Sequence, residues 1–323
     1  MNRERRQAWE DRAAAVAEKV VPRLPRRLAM SLGRAVGRLV GALDRRHVAI
    51  AEENLRHAFP AWDAARRLRT ARGVYAHFGQ MILDILWLRG HSREEVLSRL
   101  DVIGREHVEK AMAPGRGAIF VTAHLGNWEV IGLAHGWTFG PIGVVARPLD
   151  NPALDRRMCD FRAMAGNWVI YKQDALKQVL RTLHAGGAVA ILIDQNVQEK
   201  DGIFVDFFGR PAATTTVAAA LAVKTGCALV PGHTTIGPDG RYRAVYDPPL
   251  EWTPSGDKRA DVARLTQDLT RVIEGWIREH PDQWLWIHRR WKTQPSAVSS
   301  PGTVDKRGPG DEPSAARTVE EKA

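Results

Sequence analysis

The chain has 323 residues, 44% of them hydrophobic and 26% charged, and a formal net charge of +10 at pH 7. It is long enough for one large domain or two modest ones with a real core, and its apolar fraction is ordinary for a globular protein. Two cysteines, Cys159 and Cys227, exclude a disulfide framework and a paired metal-ligand spacing and read as reduced thiols of a cytosolic compartment, while the positive charge invites nucleic acid or an anionic membrane surface.

The opening "MNRERRQAWEDR" is followed by no apolar h-region, so no secretory signal is expected. Up to about residue 100 the periodicity is helical, with a break and a new start at "FPAWDAARR" (59–67). The longest apolar runs, such as "MILDILWL" (81–88), fall far short of the roughly 20 residues of a spanning helix. A role on lipid therefore implies lying on the membrane. Residues 23–46 hold seven arginines against one acid, Asp44. On a wheel at about 100° per residue, Leu28, Leu32, Val36, Leu39 and Leu43 share one face. Arg27, Arg34, Arg38 and Arg45 fall opposite, and Gly33, Gly37 and Gly41 recur between them. Two packings satisfy this pattern: leucines in the acyl boundary with guanidinium groups on phosphates, or leucines on the protein core with solvated arginines outside. The glycine ladder suits close helix packing.

Beyond residue 103 strands and helices alternate. Strands are expected at 118–123, 142–146, 168–171, 188–194, 228–236 and 242–246, and helices at 127–135, 152–165, 174–184, 215–225 and 258–280. This order predicts an α/β fold: a mainly parallel sheet flanked by helices, with a helical, membrane-facing region at 1–103 and a core at 104–293. The segment 294–323, rich in Pro, Gly, Ser and charge, reads as a disordered tail.

The stretch "VTAHLGNWEV" (121–130) places His124 where an apolar strand ends, the usual position of a catalytic group in an open sheet. Glu129 lies five residues on, about 140° away on a continuous helix, but a strand–turn–helix junction can return the carboxylate to the ring. A carboxylate on one ring nitrogen fixes the tautomer and leaves the other free to take a proton from a hydroxyl. The pattern also fits a histidine at a turn beside a glutamate favoured by the helix dipole. Gly126 and Asn127 open the helix, so their amides can hold an oxyanion or phosphate. Arg147 follows a strand, Arg162 lies along the next helix, and Asp194 ends the second strongly apolar strand; each can equally be a surface charge or a cap. "VDFFGRPAATTT" (205–216) offers threonines as caps, and "DQWLWIHRRWK" (282–292) sets tryptophans against a basic cluster.

Six stretches, "AHLGNWE", "RPLDNP", "DQN", "FFGRPA", "LAVKTGCALVP" and "QWLWIHRRWK", occur in the order and spacing of the bacterial lipid A biosynthesis (late) acyltransferases, and the chain from about residue 15 to 293 resembles that family. It belongs to the lysophospholipid acyltransferase superfamily, marked by a His-x4-Asp/Glu motif. The resemblance implies a glycerol-3-phosphate acyltransferase-like core and transfer of an acyl chain from acyl carrier protein, or acyl-CoA, to a glycolipid hydroxyl at the cytoplasmic face of the inner membrane. It implies His124 as general base and Glu129 as its orienting partner, and makes Arg147, Arg162, Asp194 and Gln195 site-lining or acceptor-phosphate contacts. No metal or cofactor is implied, and an activated thioester needs no serine or cysteine nucleophile. Many lipid A enzymes carry an N-terminal transmembrane helix, whereas only an amphipathic helix is visible here. Relatives acylating phosphatidylinositol mannosides share the core motifs and form the near alternative; a basic nucleic-acid-binding protein is the remote one, set aside because the arginines share a helix with an apolar face.

Overall fold

A computed structural model of the chain describes residues 3–171 and 175–296. The tail expected from residue 294 lies outside the described residues from 297 on, as does Asp174, the expected first residue of the helix ending at His184. Five helices lead: α1 (Arg3–Val20), α2 (Arg26–Leu43), α3 (Arg45–Ala58), α4 (Ala64–Arg89) and α5 (Arg93–Leu97). Three start at side-chain caps, where Asp44, Asp63 and Ser92 accept the amides of His47, Arg66 and Glu95. The α/β part follows as β1 (Leu100–Ile103), α6 (Arg105–Met112), β2 (Ala118–Thr122), α7 (Trp128–Thr138), β3 (Ile142–Ala146), α8 (Pro152–Ala163), β4 (Trp168–Tyr171), α9 (Ala175–His184) and β5 (Ala188–Leu192). It closes with β6 (Ile203–Phe207), β7 (Arg210–Thr214), α10 (Val217–Thr225), β8 (Ala228–Ile236), β9 (Tyr242–Tyr246) and α11 (Lys258–Glu279).

Seven strands form one sheet in the order β1-β9-β8-β2-β5-β3-β4, parallel at every pairing except β8 with β9. The α/β class with a mainly parallel, helix-flanked sheet is borne out. The sheet divides two apolar cores: Ile119, Val121 and Ile191 face α9, α10 and α11, whereas Ala118, Phe120 and Ala188 face α6, α7 and α8. Every residue of β2 is buried, as a strand covered on both faces requires. Three features escape periodicity. β1 has four residues, too few to show an alternation. β6 and β7 form a separate antiparallel hairpin over the "FFGRPA" stretch, turning at Phe208 and Gly209, both at positive φ. The antiparallel return of β9 depends on a turn at Gly237–Gly240, which strand patterning does not reveal.

The packing of α2 resolves the choice left by its sequence. Ala29, Gly33, Gly37 and Gly41 are buried against α4. A Cβ on Gly37 would be driven into the Tyr75 carbonyl oxygen and lie 2.7 Å from its carbon, so only glycine permits this approach. The leucine face is left outside: exposure runs from 43% at Leu32 to 76% at Leu43, with Leu28, Val36, Leu39 and Val40 between. Arg27, Arg34, Arg38 and Arg45 are exposed as well. Among the described residues no helix is long and apolar enough to cross a membrane.

Candidate active site

The site forms where β2 runs into α7. Gly126 turns the chain at φ 60°, against β8 so closely that a Cβ there would collide with the Thr234 carbonyl oxygen. A distant segment clamps this turn like an added strand. The Leu285 amide donates to the His124 carbonyl at 3.0 Å, the Gly126 amide donates to the Gln283 carbonyl at 2.9 Å, and Leu125 bridges Trp284. From α4, His77 Nε2 donates to the Gly126 carbonyl at 3.1 Å. Four backbone and side-chain partners thus fix the residues around His124.

The carboxylate on the imidazole is that of Asp194. In the parallel pairing of β2 with β5, Thr122 stands beside Leu192, and His124 and Asp194 each lie two residues further on. His124 Nδ1 lies 2.8 Å from Asp194 Oδ1, while Asp194 Oδ2 accepts the His124 amide at 2.8 Å and the Trp284 indole N–H at 2.8 Å. Asp194 is only 2% exposed. Burial alone would raise its carboxyl, but the charge and hydrogen bonds of His124 more than offset that and hold it well below the usual carboxylate range. An ionised acceptor at Nδ1 keeps a proton on that nitrogen, so in the neutral ring it is Nε2 that carries the lone pair. Nε2 looks toward the Gln195 amide at 3.4 Å, the ring rests edge-on against Trp128 at 4.9 Å, and its side chain keeps 20% exposure. It is oriented, yet open to a substrate.

The Glu129 carboxylate, expected on the imidazole, is bonded to Arg162 instead. The first turn of α7 directs its carboxylate toward α8, where Arg162 Nε and Nη2 donate to both oxygens at 2.8 and 2.7 Å. A fork that occupies both oxygens leaves this group as half of a largely buried ion pair. Asp194 is enclosed by three protein donors, the His124 ring and amide and the Trp284 indole. The Gly126 amide is spent on Gln283 and is unavailable to an oxyanion. Asn127 starts α7 without capping it; its Nδ2 donates to the Tyr242 hydroxyl at 3.0 Å, and its buried Oδ1 has no partner among the described residues. Arg147 is exposed just past β3 and Gln195 is exposed just past β5, so both stand at C-terminal strand ends, as does His124.

Sequence reasoning missed Trp284, Gln283, Leu285 and His77. The tryptophan run at 282–292 is the one available signal, and Trp284 is fully buried with its N–H on Asp194. No hydrogen bond joins either cysteine to these site residues: Cys159 Sγ pairs with the Tyr171 hydroxyl at 3.3 Å, and Cys227 is buried in the apolar core beneath α10. The arrangement sets an imidazole, braced at Nδ1 by a buried carboxylate, with its Nε2 turned toward the exposed Gln195 amide.

The sequence matches the family model of bacterial lipid A biosynthesis acyltransferase over residues 3–293. It is 30% identical over 260 residues to a lipid A biosynthesis lauroyltransferase of Escherichia coli, covering 79% of this chain and 82% of that protein. A lipid A biosynthesis palmitoleoyltransferase of the same organism is 28% identical over the same shares. A phosphatidylinositol mannoside acyltransferase of Mycolicibacterium smegmatis is 30% identical over 197 residues, covering 60% of this chain and 62% of that one.

Proposed function

This chain belongs to the bacterial lipid A biosynthesis acyltransferase family, and from that premise we propose that it moves a fatty acyl group from acyl carrier protein, or acyl-CoA, to a hydroxyl of a lipid A precursor. The observation that carries the reading is the His124–Asp194 pair with Nε2 left open. Nε2 takes the proton of the acceptor hydroxyl as its oxygen bonds to the thioester carbonyl carbon. Asp194 stabilises the imidazolium that forms. The tetrahedral intermediate then collapses, the C–S bond breaks, and His124 returns the proton to the leaving thiolate. The first-turn amides of α7, uncapped by the Asn127 side chain, face the developing oxyanion in place of the Gly126 amide. Arg147, exposed past β3, contacts an acceptor phosphate, and the Glu129–Arg162 pair supports the wall from which it is approached.

The reaction takes place at the cytoplasmic face of the inner membrane. The open leucine face of α2, flanked by Arg27, Arg38 and Arg45, suits an anionic lipid surface, with leucines in the acyl boundary and guanidinium groups among the phosphates. On this reading residues 1–103 form the membrane-associating region and 104–293 the acyltransferase core. Similarity to the mannoside enzyme at 30% identity favours, as a second reading, a phosphatidylinositol mannoside as acceptor.

Incubation with labelled acyl carrier protein or CoA thioester and either lipid IV-A, its Kdo derivative or a phosphatidylinositol mannoside tests both readings. Label is expected in a lipid A precursor and not after His124→Ala in a folded protein; no transfer to any glycolipid from either donor refutes the proposal.

A further inference from the structure

A buried polar chain joins α2 to the turn that holds His124. Arg26, in the first turn of α2, is 8% exposed; its Nε and Nη2 donate to the two oxygens of Asp84 on α4 at 2.8 and 2.6 Å, and its Nη1 donates to the Gly240 carbonyl at 2.5 Å. Asp84 is fully buried, and the Tyr242 hydroxyl donates to its Oδ2 at 2.5 Å. An ionised carboxylate only accepts, so the Tyr242 proton points to Asp84 and its oxygen is left to accept from Asn127 Nδ2 at 3.0 Å. Burial, then the negative Asp84, keeps that phenol protonated.

The last link is the informative one. An asparagine at a helix N-cap ordinarily accepts an amide of the first turn. Asn127 makes no such bond, and its amide is turned to Tyr242 instead. The entry of the chain into α7, three residues after His124, therefore takes a side-chain hold from β9 in addition to the clamp of Gln283, Leu285 and His77. At the other end, α2 meets α4 across a glycine face, and the buried Arg26–Asp84 fork, with the part-buried Arg34–Gln80 bond at 2.8 Å, holds its slide along that face.

We propose that Tyr242 is a positioning residue for acyl transfer, and that Arg26–Asp84–Tyr242–Asn127 carries the docking of α2 on lipid through to the turn bearing His124; this rests on the reading of α2 as the lipid-docking helix. Tyr242→Phe cuts the chain and spares the Arg26–Asp84 pair. Hydrogen exchange of the full chain, with and without phosphatidylglycerol vesicles, reads both ends. Vesicles slow exchange over residues 26–43 in wild type and variant alike, but slow residues 124–130 in the wild type only. The kcat of Tyr242→Phe falls about tenfold, the worth of one net hydrogen bond, at unchanged KM. Equal slowing of 124–130 in both proteins, or none in the wild type while 26–43 is protected, overturns the coupling. No protection of 26–43 in either protein instead sinks the lipid-docking reading and the coupling with it. Asn127→Ala severs the same link from the other side and must repeat the pattern, including where Tyr242→Phe does not fold.

Discussion

Replacing Asp194 by asparagine asks the structure which carboxylate serves His124. The two oxygens of Asp194 accept three N–H groups: Nδ1–H of His124 on Oδ1, and the His124 amide and Trp284 indole on Oδ2. Asparagine has one oxygen and one NH2. Its oxygen satisfies most donors facing the amide and the indole, which turns the NH2 toward Nδ1. That nitrogen must then accept, so the ring adopts the Nε2–H tautomer and its open nitrogen has no lone pair for the acceptor proton. The same tautomer error in a serine-protease triad lowers kcat by about 10⁴, and removal of a general base costs about 10²–10⁴. We expect kcat of Asp194→Asn to fall by roughly 10³–10⁴, or about 4–5.5 kcal/mol, with KM within a few-fold. Glu129→Gln leaves the imidazole untouched and weakens only the Arg162 fork, so its kcat falls by less than about 10², the loss of one charge-assisted contact. Steady-state transfer of labelled acyl chains, with circular dichroism as a folding control, separates the two. Near-wild-type turnover in Asp194→Asn together with an inactive, folded Glu129→Gln would overturn this reasoning.

Three further outcomes follow from the packing and the buried charges. Gly37→Ala sets a Cβ 2.7 Å from the Tyr75 carbonyl carbon and 3.0 Å from Ala76 Cα, where carbon contacts prefer about 3.5–4.0 Å. The helices must part, at about 2–3 kcal/mol, and calorimetry is expected to record a fall in Tm of about 5 °C; an unchanged Tm refutes the close contact. Leu32→Glu with Leu39→Glu alters side chains that are 43% and 63% exposed, so folding is kept, while partitioning onto phosphatidylglycerol vesicles drops about 10²-fold, as the loss of about 3 kcal/mol of apolar burial requires. Sedimentation with vesicles checks it, and undiminished binding excludes this face as the contact. Burial pushes His135 and His233 down to about 3 and His288 down to about 4. Because their folded values lie below the unfolded value of about 6.5, the unfolded chain binds more protons in between. Their contribution is complete above about pH 6.5 and is lost as pH falls, at up to about 4 kcal/mol per pH unit for the three together. Urea midpoints at neutral and mildly acid pH should diverge accordingly; equal midpoints contradict the burial of neutral rings.

The helices and strands that frame the site were legible because their signals are local. "AIFVTA" announces a fully buried strand, and the polar residues that interrupt it mark where a parallel sheet presents its chemistry. Arg162 and Glu129 were both singled out, but as separate contributors, because nothing in one chain segment indicates that a fork on α8 reaches a carboxylate on α7. The β6–β7 hairpin was unread for a related reason: its turn uses Phe208 at φ 56°, a conformation that Phe does not advertise.

By itself the sequence determined the α/β class, the end of β2 as the place of His124, and an α2 with a leucine face, an arginine face and a glycine ladder. Which face of α2 would meet the protein, and which acid would meet the imidazole, only the tertiary structure decided. Hydrophobic periodicity records that a side chain is apolar, not what covers it, and the glycines won the interior because they alone let two helix backbones touch. Asp194 won the imidazole because strand register brings residues 70 apart side by side, whereas five residues of turn and helix carried Glu129 away.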